Sequence, residues 1–156
     1  MNALTLVGEI GIYLGRYIDH YIYERLADCL VRCSTTTKKV IASASLKATT
    51  TFLRHANYYH KVMNMLALSM NEKNNQARDF TITYVKTILQ SHAHRDQTRA
   101  MMDRSGNTEI IVKILTKGIN DATPAVRENC REAFWIFWEY WRERGEKYGF
   151  TLGVGE

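Results

Sequence analysis

Residues 120–141 read NDATPAVRENCREAFWIFWEYW and contain the only proline of the chain, Pro124. Asn120, Asp121 and Thr123 before it are turn and cap formers, and the next seventeen residues contain neither Gly nor Pro. A proline is tolerated in the first turn of a helix because the N–H it lacks would be unpaired there. Thr123 is therefore the expected N-cap, Pro124 the first helical residue, and Glu128 an acid placed for the helix dipole. Phe134, Phe137, Trp138 and Trp141 then recur at the spacing of one buried helical face, while Trp135 and Tyr140 lie off it. A turn of the form Asp-x-x-Pro-x-Val-Arg opening a long apolar helix is the joint of a paired-helix repeat.

The joint recurs. From Arg127, three and six residues back are Pro124 and Asp121; from Arg78 they are Asn75 and Glu72, and from Lys39 they are Thr36 and Cys33. A basic residue thus recurs just inside the second helix of each pair, at Lys39, Arg78 and Arg127, with separations of 39 and 49 residues. The longer interval holds a polar stretch, residues 91–107, with Arg95, Arg99 and Arg104 and room for a short helix over 97–103. Allowing for that insertion, the period is that of HEAT-type helical pairs.

The remaining pattern is helical throughout, with no period-2 alternation. Ala3, Val7, Ile10, Leu14 and Ile18 follow helical spacing, so the chain opens inside a helix without a clear N-cap. A second helix over about 19–32 turns Ile22, Leu26, Cys29 and Leu30 inward, and a third over about 38–55 buries Val40, Ile41, Ala44, Ala48 and Phe52. Asn57 is the expected cap of a fourth, carrying Val62, Met65, Leu66 and Leu68. A fifth over about 75–92 buries Phe80, Tyr84 and Ile88, and a sixth over 108–119 carries Ile111, Ile114 and Leu115. The fold class read from this is all-α: an α-solenoid of paired helices in one domain. Its expected parts are a leading helix at 1–16, repeats at 18–55, 57–92 and 106–143, and an incomplete tail at 144–156.

Composition narrows the function classes. Three cysteines, an odd number, argue against a disulfide scaffold and suit a reducing compartment. Cys29 and Cys33 lie one turn apart and His92 and His94 flank Ala93, but no CxxC or HExxH spacing completes a zinc set, so buried thiols are expected and no metal or cofactor. Gly8, Gly11 and Gly15 follow no strand and read as close-packing positions between helices, not a phosphate cradle. No nucleophile elbow, Walker sequence or paired carboxylates point to an enzyme. No run reaches the roughly 18 apolar residues of a membrane span. A net charge of +5 calls for an acidic partner, nucleic acid or an acidic protein surface.

Two stretches resemble a known family. Lys38-Lys39-Val40-Ile41-Ala42-Ser43 after a Ser/Thr turn resembles a signature of the TOG domains of the CLASP family. So does Lys117-Gly118-Ile119-Asn120-Asp121-Ala122 followed by Val126-Arg127, Arg131 and Phe134-Trp135-x-Phe137. The segment order is most similar to the second TOG domain of these microtubule-associated proteins, and the resemblance covers nearly the whole chain. Against a full TOG domain, the first repeat and most of the second are missing. Two of the three turns also depart from the Asp-x-x-Pro form. The resemblance implies a non-catalytic domain that binds αβ-tubulin or microtubules through its turns within repeats, in a microtubule-stabilising protein of the mitotic spindle. It implies a cytoplasmic, cytoskeletal location, with the nucleus left open, and other spindle or kinetochore proteins as further partners.

Turns within helical pairs emerge on one edge of a solenoid. Thr36, Thr37, Lys38 and Lys39, then Lys73, Asn74, Asn75 and Arg78, then Thr123 and Arg127 are the candidate tubulin-binding residues on that edge. The strip is polar and net positive, suited to steering toward tubulin's acidic surface. Arg127 admits a second reading, holding its own turn by pairing with Asp121 or Glu128. Two competing functions use the same fold: a HEAT scaffold for a kinetochore or cortical adaptor, and a nucleic-acid-binding solenoid suggested by charge alone.

Overall fold

The computed structural model describes residues 2–151, with side chains up to 147. Among these residues every regular element is an α-helix, and the segments form where capping and apolar spacing allow. The helices are α1 (Ala3–Leu14), α2 (His20–Ser34), α3 (Lys39–His55), α4 (Val62–Ser69), α5 (Asn75–His92), α6 (Asp96–Arg104), α7 (Asn107–Ile119), α8 (Pro124–Tyr140) and α9 (Arg142–Thr151). Asp19 and Asn74 cap α2 and α5, accepting from the N–H of Ile22 and Gln76. Pro124 stands in the first turn of α8 with Thr123 as its cap residue, but the Thr123 side chain makes no cap bond. The Asp121 carboxylate instead accepts from the Thr123 N–H at 2.9 Å.

The helices stack in two rows. In one, α3 packs on α1 and α5, and α5 packs on α8; in the other, α4 packs on α2 and α7. The partners α2/α3, α4/α5 and α7/α8 cross between rows, and α6 lies against α7. Apolar layers between the rows form a continuous core that includes Phe52, Leu66, Tyr84, Ile88, Ile111 and Phe137. Within it a polar knot ties three helices: the Ser34 hydroxyl meets those of Ser45 and Tyr84, and Ser45 donates to the Leu30 carbonyl at 2.8 Å. These partners keep buried hydroxyls from being left unsatisfied.

Gly11 in α1 and Gly15 just after it serve close packing, whereas a Cβ on Gly8 would meet only ordinary contacts at 3.9 Å and beyond. A Cβ on Gly11 would stand 2.9 Å from the Phe52 Cα, and one on Gly15 would stand 2.9 Å from the Ala56 Cα. In an open helix Gly→Ala stabilises by about 1 kcal/mol. Here the sign reverses: Gly11→Ala is expected to lower the urea midpoint, and Gly11→Val to cost about 2 kcal/mol by prising α1 off α3.

Several helical faces differ from the periodicity reading. The chain does not open uncapped, since Asn2 accepts from the Thr5 N–H at 2.8 Å. The inward face of α2 is Tyr23, Ala27, Leu30 and Val31, whereas Ile22 and Cys29 are exposed. Cys33 is half-buried, so neither Cys29 nor Cys33 is the buried thiol expected of it; the core thiol is Cys130. Val40 and Ile41 are exposed because α3 turns the small Ala42, Ser45, Ala48 and Thr49 toward its neighbours. Leu68 is likewise exposed, and Trp138 is only half-buried. Asn57 caps nothing: it lies ahead of α4 and bonds the carbonyls of Gly15 and Arg16.

The tail is a docked helix as far as Thr151. Gly145 lets the α9 backbone lie against Trp138, Arg142 sits 5.0 Å over the Trp138 ring, and Arg144 pairs with Glu109 at 2.7 Å. The last five residues of the expected tail fall outside the described residues.

Candidate functional site: the edge of intra-pair turns

Three turns join the helices of a pair: α2 to α3, α4 to α5 and α7 to α8. The repeating basic positions show how the last two are built. Arg78 Nη1 donates to the carbonyls of Glu72 and Lys73 at 2.8 and 3.0 Å. Arg127 Nη1 donates to the carbonyls of Asp121 and Ala122 at 2.7 and 3.0 Å. In both cases the acceptors lie six and five residues back, so the two arginines are the same device in successive turns. Arg127 thus holds its own turn, through the Asp121 carbonyl; Glu128 pairs with Arg131.

The Asp121 carboxylate serves the neighbouring arginine instead. It takes a two-pronged contact from Arg78, Nε at 2.7 Å and Nη2 at 3.2 Å, with side chains 15% and 5% exposed. That hydrogen bonding holds the Asp121 carboxyl below the usual carboxylate range and raises the Arg78 guanidinium. Lys117 also reaches across, donating to the Asn71 side chain. The turns of two pairs are therefore bolted side by side into one continuous edge.

The other candidates divide by what their side chains already do. Asn74 is occupied in capping α5, and the Thr36 hydroxyl accepts weakly from the Lys38 N–H at 3.4 Å. Thr37, Lys38, Lys39, Lys73 and Asn75 are exposed, and Thr123 is half-buried. Lys38, Lys39 and Lys73 have no ion pair among the described residues. Next to Lys38 and Lys39, Val40 is 84% exposed, an apolar side chain in a basic setting that the periodicity points inward. Asp121, as a bolt between turns, was also missed; its signal was an acid in the turn facing Arg78 one pair earlier.

Two rows of paired helices joined by clamped turns define an α-solenoid of HEAT type. The sequence model of the family described as CLASP N terminal matches residues 1–151, and the chain belongs to that family. It is 32% identical over 141 residues to Protein STU1 of Gibberella zeae, which covers 90% of this chain and 12% of that protein. It is 31% identical over 146 residues to Protein STU1 of Cryptococcus neoformans var. neoformans serotype D, covering 93% of this chain and 12% of that one. Against Protein STU1 of Chaetomium globosum it is 27% identical over 145 residues, 93% of this chain and 13% of the relative. The chain thus spans about an eighth of the length of these relatives.

Proposed function

We propose that the chain is a non-catalytic domain that docks on the acidic surface of αβ-tubulin through its turn edge, within a microtubule-stabilising protein of the spindle. Family membership supports the partner, and the exposed cationic strip supports the surface. Thr37, Lys38, Lys39, Lys73 and Asn75 make the contacts, with Val40 as their apolar centre. Thr36, Asn74 and Thr123 flank them. Arg78 and Arg127 contribute chiefly by holding the turns in shape. The carrying observation is that the three lysines, 38, 39 and 73, are exposed and without an ion pair among the described residues, on an edge where Arg78 and Arg127 are engaged. Rim charges of this kind set the association rate and its salt dependence more than the final affinity.

The test is co-sedimentation with microtubules and gel filtration with free αβ-tubulin, each at low and moderate salt. Wild-type binding is expected to weaken with salt. The variant Lys38→Gln/Lys39→Gln/Lys73→Gln is expected to bind about tenfold more weakly, from three contacts of about half a kcal/mol each. Equal binding by the variant would sink the strip as the docking surface.

A further inference from the structure

The first intra-pair turn is built differently from the other two. In the repeat register, Cys33 stands where Glu72 and Asp121 stand in the later pairs, and Lys39 where Arg78 and Arg127 stand. The two arginines hold the Glu72 and Asp121 carbonyls. The Cys33 carbonyl instead accepts from the Thr36 N–H at 3.4 Å. The Lys39 side chain is exposed and reaches no carbonyl of this turn among the described residues. The joint therefore lacks the arginine clamp and carries a thiol in place of an acid.

That thiol has a neighbour. Cys29 lies one turn earlier in α2 and is exposed, while Cys33 is half-buried. Burial foremost, and then the Cys29 thiol beside it, holds the Cys33 thiol above its ordinary range. The third thiol, Cys130, is set apart from both. It is buried, donates to the Leu115 carbonyl at 3.1 Å and is pushed up to about 12, so it serves as an unreactive internal reference.

Two free thiols on a helix can be plain surface. What sets this pair apart is an exposed thiol with a second one in reach, placed at the one unclamped joint. Four residues of helix put the two Cα atoms about 6 Å apart, inside the roughly 4.4–6.8 Å that a disulfide spans. The Cβ atoms, about 5–6 Å apart, would have to close by about 1 Å. Helix α2 ends at Ser34, so only its last turn has to yield.

We propose that Cys29 and Cys33 are a two-thiol redox modification site, closing reversibly into a disulfide that loosens the α2–α3 turn. The oxidant is a small-molecule disulfide. The Cys29 thiolate attacks one of its sulfurs, forming a mixed disulfide and expelling one thiolate. Cys33, once deprotonated, attacks the Cys29 sulfur, closing the Cys29–Cys33 bond and expelling the other half as a second thiolate. The two cysteine protons end on the two released thiols, so two cysteines are oxidised and one disulfide is reduced. Ser34 is anchored inward by the Leu30 carbonyl and the hydroxyls of Ser45 and Tyr84, so the displacement passes outward to residues 35–38. The long Thr36 to Cys33 bond is the first to give way. That turn carries Thr36, Thr37 and Lys38 of the candidate edge. A bridge that strains its helix is also readily reduced, which makes the modification reversible.

The experiment treats the folded 156-residue chain with glutathione disulfide at about pH 8, quenches with acid, and reads masses and free thiols. Wild type is expected to lose two hydrogens and two of its three thiols, with no glutathione retained, and dithiothreitol to restore both. Cys33→Ser is expected to stop at the mixed disulfide on Cys29. Cys29→Ser is expected to react about tenfold more slowly than wild type, because the remaining half-buried thiol is rarely ionised. In NMR spectra the amides of Thr35, Thr36 and Thr37 are expected to shift on closure, and those of the clamped turn at 121–127 to stay. A wild type that stops at the mixed disulfide, or Cys29→Ser reacting as fast as wild type, overturns the modification site. Closure without a shift at residues 35–37 overturns its effect on the turn.

Discussion

Arg78→Ala is expected to lower the unfolding free energy by about 3 kcal/mol, the largest effect of any single change on the turn edge. The reason is what it leaves behind. Asp121, 5% exposed, would keep a carboxylate with no cation, and the Glu72 and Lys73 carbonyls would lose their shared donor. Arg127→Ala removes only the two carbonyl contacts and is expected to cost about 1–2 kcal/mol. Asp121→Asn should fall between them, since an amide oxygen still accepts from Arg78 while the charge is gone. Urea unfolding of the three variants gives the order, and Arg127→Ala costing as much as Arg78→Ala would contradict it.

The same pair sets a pH signature. The Asp121 carboxyl is depressed in the folded protein, first by its hydrogen bonds to Arg78. Its stabilisation is therefore fully present above the unfolded-state value of about 3.9 and is lost as pH falls through the lower folded value. The stability gap between wild type and Asp121→Asn should be constant near neutrality and close below about pH 4. A gap that widened in acid would mean the carboxylate is not held by Arg78.

How much of this could be read from the chain depended on whether a local rule or a neighbour decided each position. Pro124 acts within one turn, so the start of α8 was legible to the residue and those of α2, α3 and α5 to within one, whereas α4 begins five residues after the expected cap Asn57. Gly11 and Gly15 were legible as close-packing positions because a near backbone approach needs them, whereas Gly8, where a Cβ would meet only contacts of 3.9 Å and beyond, was not set by that need. Helical faces were less legible, because a shift of one residue rotates the face by about 100°. At Val40 and Ile41 the apolar pair drew the expected face outward, while α3 has neighbours in both rows and meets them with small residues. Of the candidate site, the repeating basic positions were legible as a register. Their division into engaged arginines and exposed lysines was not, because it turns on Asp121 reaching Arg78 across 43 residues of sequence. His92 was considered only as a metal ligand; its ring instead lies 2.7 Å from the Leu53 carbonyl, 39 residues away.

Val40→Asp is expected to separate the docking surface from the fold. Val40 is 84% exposed at the start of α3 beside Lys38 and Lys39, so changing it touches no core contact. An aspartate in the first turn of a helix is also favoured by the dipole, and the urea midpoint should not fall. Had Val40 been a core residue, the same change would bury an unpaired charge and cost several kcal/mol. Binding should respond in the opposite way. At the centre of a strip facing acidic tubulin, the substitution removes apolar contact, cancels one lysine and sets like charge against like, which together cost about 2–3 kcal/mol. Microtubule affinity is then expected to drop about fiftyfold or more, against a few-fold loss for Val40→Ala. Loss of stability with binding retained would put Val40 in the core, and unchanged binding in both variants would move the contact surface away from α3. A large loss confined to Val40→Asp, in a chain that unfolds like wild type, would place the α2–α3 turn at the centre of the interface.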